Sequence, residues 1–212
     1  MGKIKTYTPR EERLNVSSHF FGVILALAGS IPLSLLAEKN NSGLFTAGLI
    51  FYWLSLLAMF GASGFYHLCR KPEIKPLARR FDHCAIYLLI TGTYAPLITG
   101  AVKTFSGYMV LLVLIILTIL GILGKIFFDD KFHWLEVIIY LVMGWACVFI
   151  ARDLIAGMSS AGLKLLLTGG IAYTGGVAFY VVRKEFFHAI WHLFVLLGAI
   201  FQFFSILTIE NI

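Results

Sequence analysis

The stretch Gly107–Phe128, GYMVLLVLIILTILGILGKIFF, decides the fold class, because it is almost entirely apolar and carries one charged residue, Lys125. The hydrocarbon core of a bilayer is about 30 Å thick, and a helix needs roughly 20 apolar residues to cross it. The stretch meets that requirement without interruption. It therefore predicts one transmembrane helix.

The same pattern recurs along the rest of the chain. Of the 212 residues, 59% are hydrophobic and 13% are charged, and the mean hydropathy is +0.89. A chain of this composition needs lipid as its solvent. Short polar segments separate six further apolar runs, which are Phe20–Ala37, Leu44–Leu68, Ala85–Val102, Trp134–Ala151, Leu163–Val182 and Phe186–Ile209. We predict an all-α fold, a seven-transmembrane helix bundle forming a single domain over residues 1–212, with a short polar segment at residues 1–18.

The distribution of basic residues predicts the direction of insertion, because cytoplasmic loops retain Lys and Arg. Seven crossings place thirteen of these residues on one side, namely Lys3, Lys5, Arg10, Arg13, Arg70, Lys71, Lys75, Arg79, Arg80, Lys125, Lys131, Arg183 and Lys184. Four lie on the other, namely Lys39, Lys103, Arg152 and Lys164. We therefore expect a multi-pass protein of the cell membrane with its amino terminus cytoplasmic and its carboxyl terminus outside. The net charge of +6 suits a surface of anionic lipid, and no basic run is dense enough to indicate nucleic-acid binding.

Ionisable side chains are costly inside a membrane, so their positions indicate where function lies. All six histidines fall at the cytoplasmic ends of the predicted spans, at positions 19, 67, 83, 133, 188 and 192. His188 and His192 are four residues apart and share one helix face, as do Ser63 and His67, while Asp82 begins the third span at the same depth. Three neutral imidazoles with one open position are the ligand set of a catalytic zinc, and a nearby carboxylate accepts a proton from water.

Each of these residues also has a plainer interpretation. An interfacial histidine is often a satisfied polar side chain. Asp82 fits an ion pair with Arg79 or a helix N-terminus, and Ser63, beside small residues, fits close helix packing. At similar depth, His83, His133 and Glu136 are further candidates, so spacing alone leaves the choice of ligands open.

Four motifs resemble those of a known family. They are EERLNVSSH at residues 11–19, Ser63 with His67, FDH at residues 81–83 followed by GTYAP at residues 92–96, and HAIWHLF at residues 188–194. With these motifs the chain is similar to the hemolysin III branch of the progestin and adipoQ receptor family, within the superfamily that includes alkaline ceramidases. The resemblance also suggests a bacterial source.

This resemblance implies a seven-helix fold with zinc bound by His67, His188 and His192. It implies that Asp82 and Ser63 contact the metal-bound water or the reacting group. It gives Asn15 and His19 no settled chemical role, and it implies that His83 and His133 are not metal ligands. Gln202 stands where many bacterial members have histidine, which puts any role of that position in doubt.

These residues support three functional hypotheses. The leading one is a zinc-dependent hydrolase that cleaves an amide or ester of a membrane lipid at the cytoplasmic side, with Asp82 as general base and Ser63 donating a hydrogen bond to the oxyanion. The second is a receptor-like or regulatory protein in which a structural zinc joins spans two, three and seven. The third is a pore-forming hemolysin. The fourth and sixth spans disfavour this hypothesis because they offer almost no polar face.

Overall fold

The computed structural model describes residues 7–128, 133–182 and 184–209, and none of these residues forms a strand. The helices are α1 (Pro9–Asn40), α2 (Gly43–Leu68), α3 (Lys75–Pro96), α4 (Phe105–Phe128), α5 (His133–Gly144), α6 (Ala151–Gly157), α7 (Ser160–Val181) and α8 (Phe187–Leu207). A π-helical turn, Leu97–Val102, continues α3, and a 3-10 segment, Ala146–Ile150, joins α5 to α6. Within the described ranges, seven helical segments are long and apolar enough to cross a membrane. This confirms the predicted all-α bundle of seven spans.

The first helix begins at Pro9, well before the apolar run predicted to start at Phe20. Its start is fixed by a capping box, in which the Glu11 N–H donates to Thr8 Oγ1 at 3.3 Å and the Thr8 N–H donates to the Glu11 carboxylate at 2.8 Å. Such reciprocal bonds satisfy backbone donors that a helix N-terminus otherwise leaves unpaired. As a result, the polar residues from Pro9 onward are helical and continuous with the first span.

The fifth span is interrupted where α5 passes into the 3-10 segment. At that break the Tyr94 hydroxyl donates to the Gly144 carbonyl at 2.8 Å and accepts from the Cys147 N–H at 2.7 Å. Irregular backbone is tolerated at membrane depth only when protein groups satisfy it. One tyrosine on α3 therefore stabilises the break in the neighbouring span.

The third span lies at the centre of the bundle. In its most apolar window 83% of the residues are buried, against 17% for α4, which presents its apolar side chains outward. Helix α1 packs against both α2 and α8, and α3 packs against α2 and α4. This arrangement brings the beginnings of α1 and α8 and the end of α2 together. The basic residues Lys3, Lys5, Lys131 and Arg183, which contribute to the predicted orientation, lie outside the described residues.

Candidate metal centre

Three histidines from two helices converge on one point. His67 stands at the end of α2, and His188 and His192 stand in the first two turns of α8. Their ring centroids are 5.2 Å apart for His67 and His188, 4.9 Å for His67 and His192 and 4.4 Å for His188 and His192. One nitrogen from each ring lies within 4.8 Å of the others, so the three could hold one metal ion. We call these residues the histidine triad.

The triad is buried and has nitrogen atoms that lack protein partners. The three residues are between 3% and 8% exposed. Within the described part of the chain, His67 Nε2 and His192 Nδ1 are buried without a hydrogen-bond partner. Leaving such a polar atom unsatisfied costs about 1–3 kcal/mol, and a metal ion or a water molecule would remove that cost. The donor set therefore fits a metal such as zinc, which accepts imidazole nitrogen readily.

The orientation of His67 is fixed from α1. Glu12 Oε2 lies 2.6 Å from His67 Nδ1, and Glu12 Oε1 accepts from Lys75 Nζ at 2.9 Å. Because a carboxylate only accepts, Nδ1 carries the proton and Nε2 keeps its lone pair for a ligand. Metal-binding histidines commonly make such a bond through their second nitrogen. Asn15 Nδ2 lies 3.3 Å from the same Nδ1.

The amino-terminal turns of α1 form one wall of the site. Glu11, Asn15 and His19 recur at intervals of four residues and are all buried. Glu11 Oε1 accepts from the Phe186 N–H at 2.9 Å, at the residue before α8 begins. The His19 ring centroid lies 4.1 Å from that of His192. Spacing and depth predicted assembly from spans two, three and seven, but the triad itself comes from α2 and α8, and α1 contacts both helices beside it.

Tyr7, just before α1, covers the triad on its other side. Its ring stacks on His188 with centroids 4.7 Å apart and meets His67 edge-on at 5.5 Å. Burial raises the pKa of Tyr7, and the charges of Glu12 and Asp82 raise it further.

The two predicted polar partners, Ser63 and Asp82, differ in burial and in the helix that carries them. Ser63 is 2% exposed and lies one helical turn before His67. Asp82 lies on α3 and is partly exposed. Asp82 is not among the residues whose ligand atoms meet in the triad.

The sequence of the whole chain identifies its family. A profile of the family described as Haemolysin-III related matches residues 7–203. The chain belongs to this family. It is 37% identical over 202 residues to the hemolysin-3 homolog of Bacillus subtilis (strain 168), covering 95% of each chain. It is 35% identical over 199 residues to hemolysin-3 of Bacillus cereus, covering 93% of this chain and 91% of the relative.

A more distant relative is the monocyte to macrophage differentiation factor of Homo sapiens, which is 28% identical over 210 residues and covers 92% of this chain and 83% of its own. No solved structure matches the chain. The match confirms the resemblance drawn from the four motifs. It also establishes this haemolysin III-related chain as a multi-pass membrane protein.

The remaining candidates of this haemolysin III-related chain lie elsewhere. His83, His133 and Glu136 form a separate group, whose ligand atoms also lie within 4.8 Å of one another. Gln202 is ten residues beyond His192 on α8, about 15 Å along the helix, and its amide donates to the Leu166 carbonyl at 3.1 Å. It ties α8 to α7 and does not reach the triad.

A large apolar cavity lies between α3, α5, α6, α7 and α8. Its volume is about 420 Å³, and it is lined almost wholly by hydrocarbon and aromatic side chains. Tyr180 and Trp191 border it at the end nearer the triad. The Tyr180 ring centroid is 6.1 Å from that of His188. The cavity therefore extends from the neighbourhood of the histidines into the depth of the bundle.

Proposed function

We propose that this protein is a zinc-dependent hydrolase that cleaves an amide or ester of a membrane lipid at the cytoplasmic side of the cell membrane. The main support is the triad of buried histidines. Among the described residues, no fourth His, Cys, Asp or Glu belongs to the same group of ligand atoms. Catalytic zinc sites keep such an open position, whereas structural zinc sites usually have four protein ligands. Zinc held there would polarise a carbonyl and lower the pKa of water.

The chain's own residues have distinct roles in this proposal. Asp82 is the general base and returns the proton to the leaving group. Ser63, one turn from His67, donates a hydrogen bond to the developing oxyanion. Glu12 keeps His67 in the tautomer that presents Nε2 to the metal.

The apolar cavity supports a lipid as the substrate. Its wall consists of hydrocarbon and aromatic side chains, with Tyr180 and Trp191 at the end near the triad. Each CH₂ group moved from water into such a site contributes about 0.8 kcal/mol. An acyl chain in the cavity would place the linkage at its head beside Tyr180 and the histidines.

Hydrolysis of a lipid panel by purified protein tests the proposal. We expect fatty acid release, measured by mass spectrometry, to be lost in His188→Ala together with the metal of the triad. Asp82→Asn should lower the rate of hydrolysis at least 10²-fold, while the triad keeps its metal. Asp153→Asn is the matched control, because Asp153 bonds Thr104 and Ser106 near the opposite ends of the helices. Metal-loaded protein without activity on any amide or ester would refute the proposal.

One observation favours the receptor-like alternative with a structural zinc. Both ring nitrogens of His19 are buried without a hydrogen-bond partner in the described residues, and its ring lies against His192. A fourth imidazole on the metal would close the open position and give a structural site. This alternative would be established by three results together. The wild type shows no turnover, a chelator lowers its melting temperature, and His19→Ala lowers the melting temperature by the same amount.

The names of the two Bacillus relatives contain the word hemolysin, which is the reason to weigh a pore. A pore requires a polar face through the bilayer. In this chain α4 exposes Leu112, Ile116 and Leu120 along its length, and its most apolar window is only 17% buried. Such a surface suits contact with lipid, so we do not favour the pore.

A further inference from the structure

A second group of metal-binding side chains lies outside the histidine triad. His83 comes from α3, and His133 and Glu136 come from the first turn of α5. The side chains of His83 and Glu136 are 7% and 11% exposed, and that of His133 is 39% exposed. We call these three residues the His83 cluster. Buried ionisable groups at membrane depth are costly, so their convergence requires a reason.

The distances in the His83 cluster match those around one metal ion. Glu136 Oε2 lies 3.1 Å from His83 Nδ1 and 3.6 Å from His133 Nδ1. Ligands held about 2.0–2.1 Å from a tetrahedral zinc are about 3.3–3.4 Å apart. The two observed separations lie on either side of that value, and the shorter one is also the length of a hydrogen bond between His83 and Glu136. Two histidines and one glutamate are also a ligand set that zinc enzymes use.

The surroundings of His133 support a cation at this position. Its Nε2 lies 3.2 Å from the Tyr180 hydroxyl. Its Nδ1 faces the Glu136 carboxylate at 3.6 Å and is buried without a hydrogen-bond partner among the described residues. The Tyr180 hydroxyl can donate to Nε2, which leaves the proton on Nδ1, or accept from Nε2, which leaves a lone pair on Nδ1. A metal ion bound by Nδ1 and the carboxylate would take the place of a proton there.

Lys125 competes with such an ion. Its side chain is 1% exposed, and Nζ lies 3.1 Å from both carboxylate oxygens of Glu136. Its ammonium group neutralises Glu136 and repels a second cation nearby. Lys125 does not, however, account for two imidazoles directed at the same oxygen. Lys125 can stay bonded to Oε1 while Oε2 binds a metal. Because its positive charge remains nearby, this site should bind a metal ion less tightly than the triad does.

We propose, against what the family resemblance implies for His83 and His133, that these two residues and Glu136 form a second binding site for a divalent transition metal, distinct from the histidine triad. Tyr180 lies between the two sites, bonded to His133 on one side and in contact with His188 on the other. The second site binds its ion less tightly than the triad because of Lys125. It does not depend on whether the protein is a hydrolase.

The number of zinc ions per chain tests this proposal. The protein is purified in detergent, loaded with zinc and desalted. Elemental mass spectrometry should then find two zinc ions per chain. Glu136→Gln and His133→Ala should each contain one, as should His188→Ala. The control Glu38→Gln, an exposed position at the other end of α1, should keep two. Mild chelation should remove one ion from the wild type and none from Glu136→Gln.

Two further variants allow for failure to fold. Glu136→Gln leaves Lys125 buried without its counterion, so the double variant Glu136→Gln/Lys125→Met removes both charges together and should also contain one zinc. Lys125→Met alone should keep two zinc ions per chain. Added zinc should raise its melting temperature more than it raises that of the wild type. One zinc per chain in the wild type, unchanged in folded His133→Ala, would refute the second site. Loss of metal only in the His83 cluster variants would instead refute the proposed function.

Discussion

A single carboxylate, that of Glu12, connects two parts of the candidate metal centre. It bonds His67 through one oxygen and Lys75 through the other. Lysine keeps the carboxylate ionised, and the ionised carboxylate holds the proton of His67 on Nδ1. The lone pair of Nε2 is thereby directed toward the other two histidines. Glu12 thus positions a ligand without belonging to the triad.

Glu12→Gln should weaken zinc binding by the triad about 10- to 100-fold, since loss of such a partner typically has that effect. The measurement is a competition between the protein and a chromophoric chelator. Glu38→Gln, which changes an exposed glutamate of the same helix, is the matched control and should bind as tightly as the wild type. Unchanged affinity in Glu12→Gln would mean that packing alone orients His67.

The sequence predicted the histidines that meet in the triad but no role for Glu12. His188 and His192 share a helix face by spacing, and the family motifs selected His67 as their partner. Glu12 lies in a polar segment ahead of the first apolar run, and hydropathy gave that segment no place in the bundle. The positions of Glu12, Asn15 and His19 on one helical face were the available signal. That signal is visible only when the segment is known to be helical.

At the scale of helices, apolar length predicted the spans and most of their ends, but not where α1 and α3 begin. Both α1 and α3 begin about ten residues before their predicted spans, because capping and helix propensity act in water as well as in lipid. The break after α5 was not predicted, because the Tyr94 hydroxyl that stabilises it comes from another span. Long-range partners of this kind leave no local pattern in the sequence.

The contact between α2 and α3 depends on Gly92. A Cβ atom there would collide with the Ser55 side chain and lie 3.4 Å from Tyr52 Cα. Gly92→Ala should therefore destabilise the protein by about 1–3 kcal/mol, seen as a lower melting temperature in detergent. At Gly61 on α2 a Cβ would meet nothing within 4 Å, so Gly61→Ala should be neutral or slightly stabilising. Equal melting temperatures of both variants would contradict this packing.

At the scale of the whole molecule, the triad and most basic residues belong to the same end of the bundle. His67 ends α2 and is followed by Arg70 and Lys71. The excess of Lys and Arg on this side predicts that it faces the cytoplasm. The proposed chemistry would then take place at the inner leaflet. The orientation therefore decides which lipids can reach the metal.

Labelling of single cysteines tests that orientation. In a chain whose Cys69, Cys84 and Cys147 are replaced, Lys39→Cys and Lys71→Cys each present an exposed thiol at opposite ends of the first two helices. A maleimide that cannot cross membranes should label Lys39→Cys in intact cells and Lys71→Cys only after permeabilisation. The reason is that the loop containing Lys71 has the denser positive charge and stays inside during insertion. The reverse pattern would place the triad at the outer leaflet and require an extracellular lipid substrate.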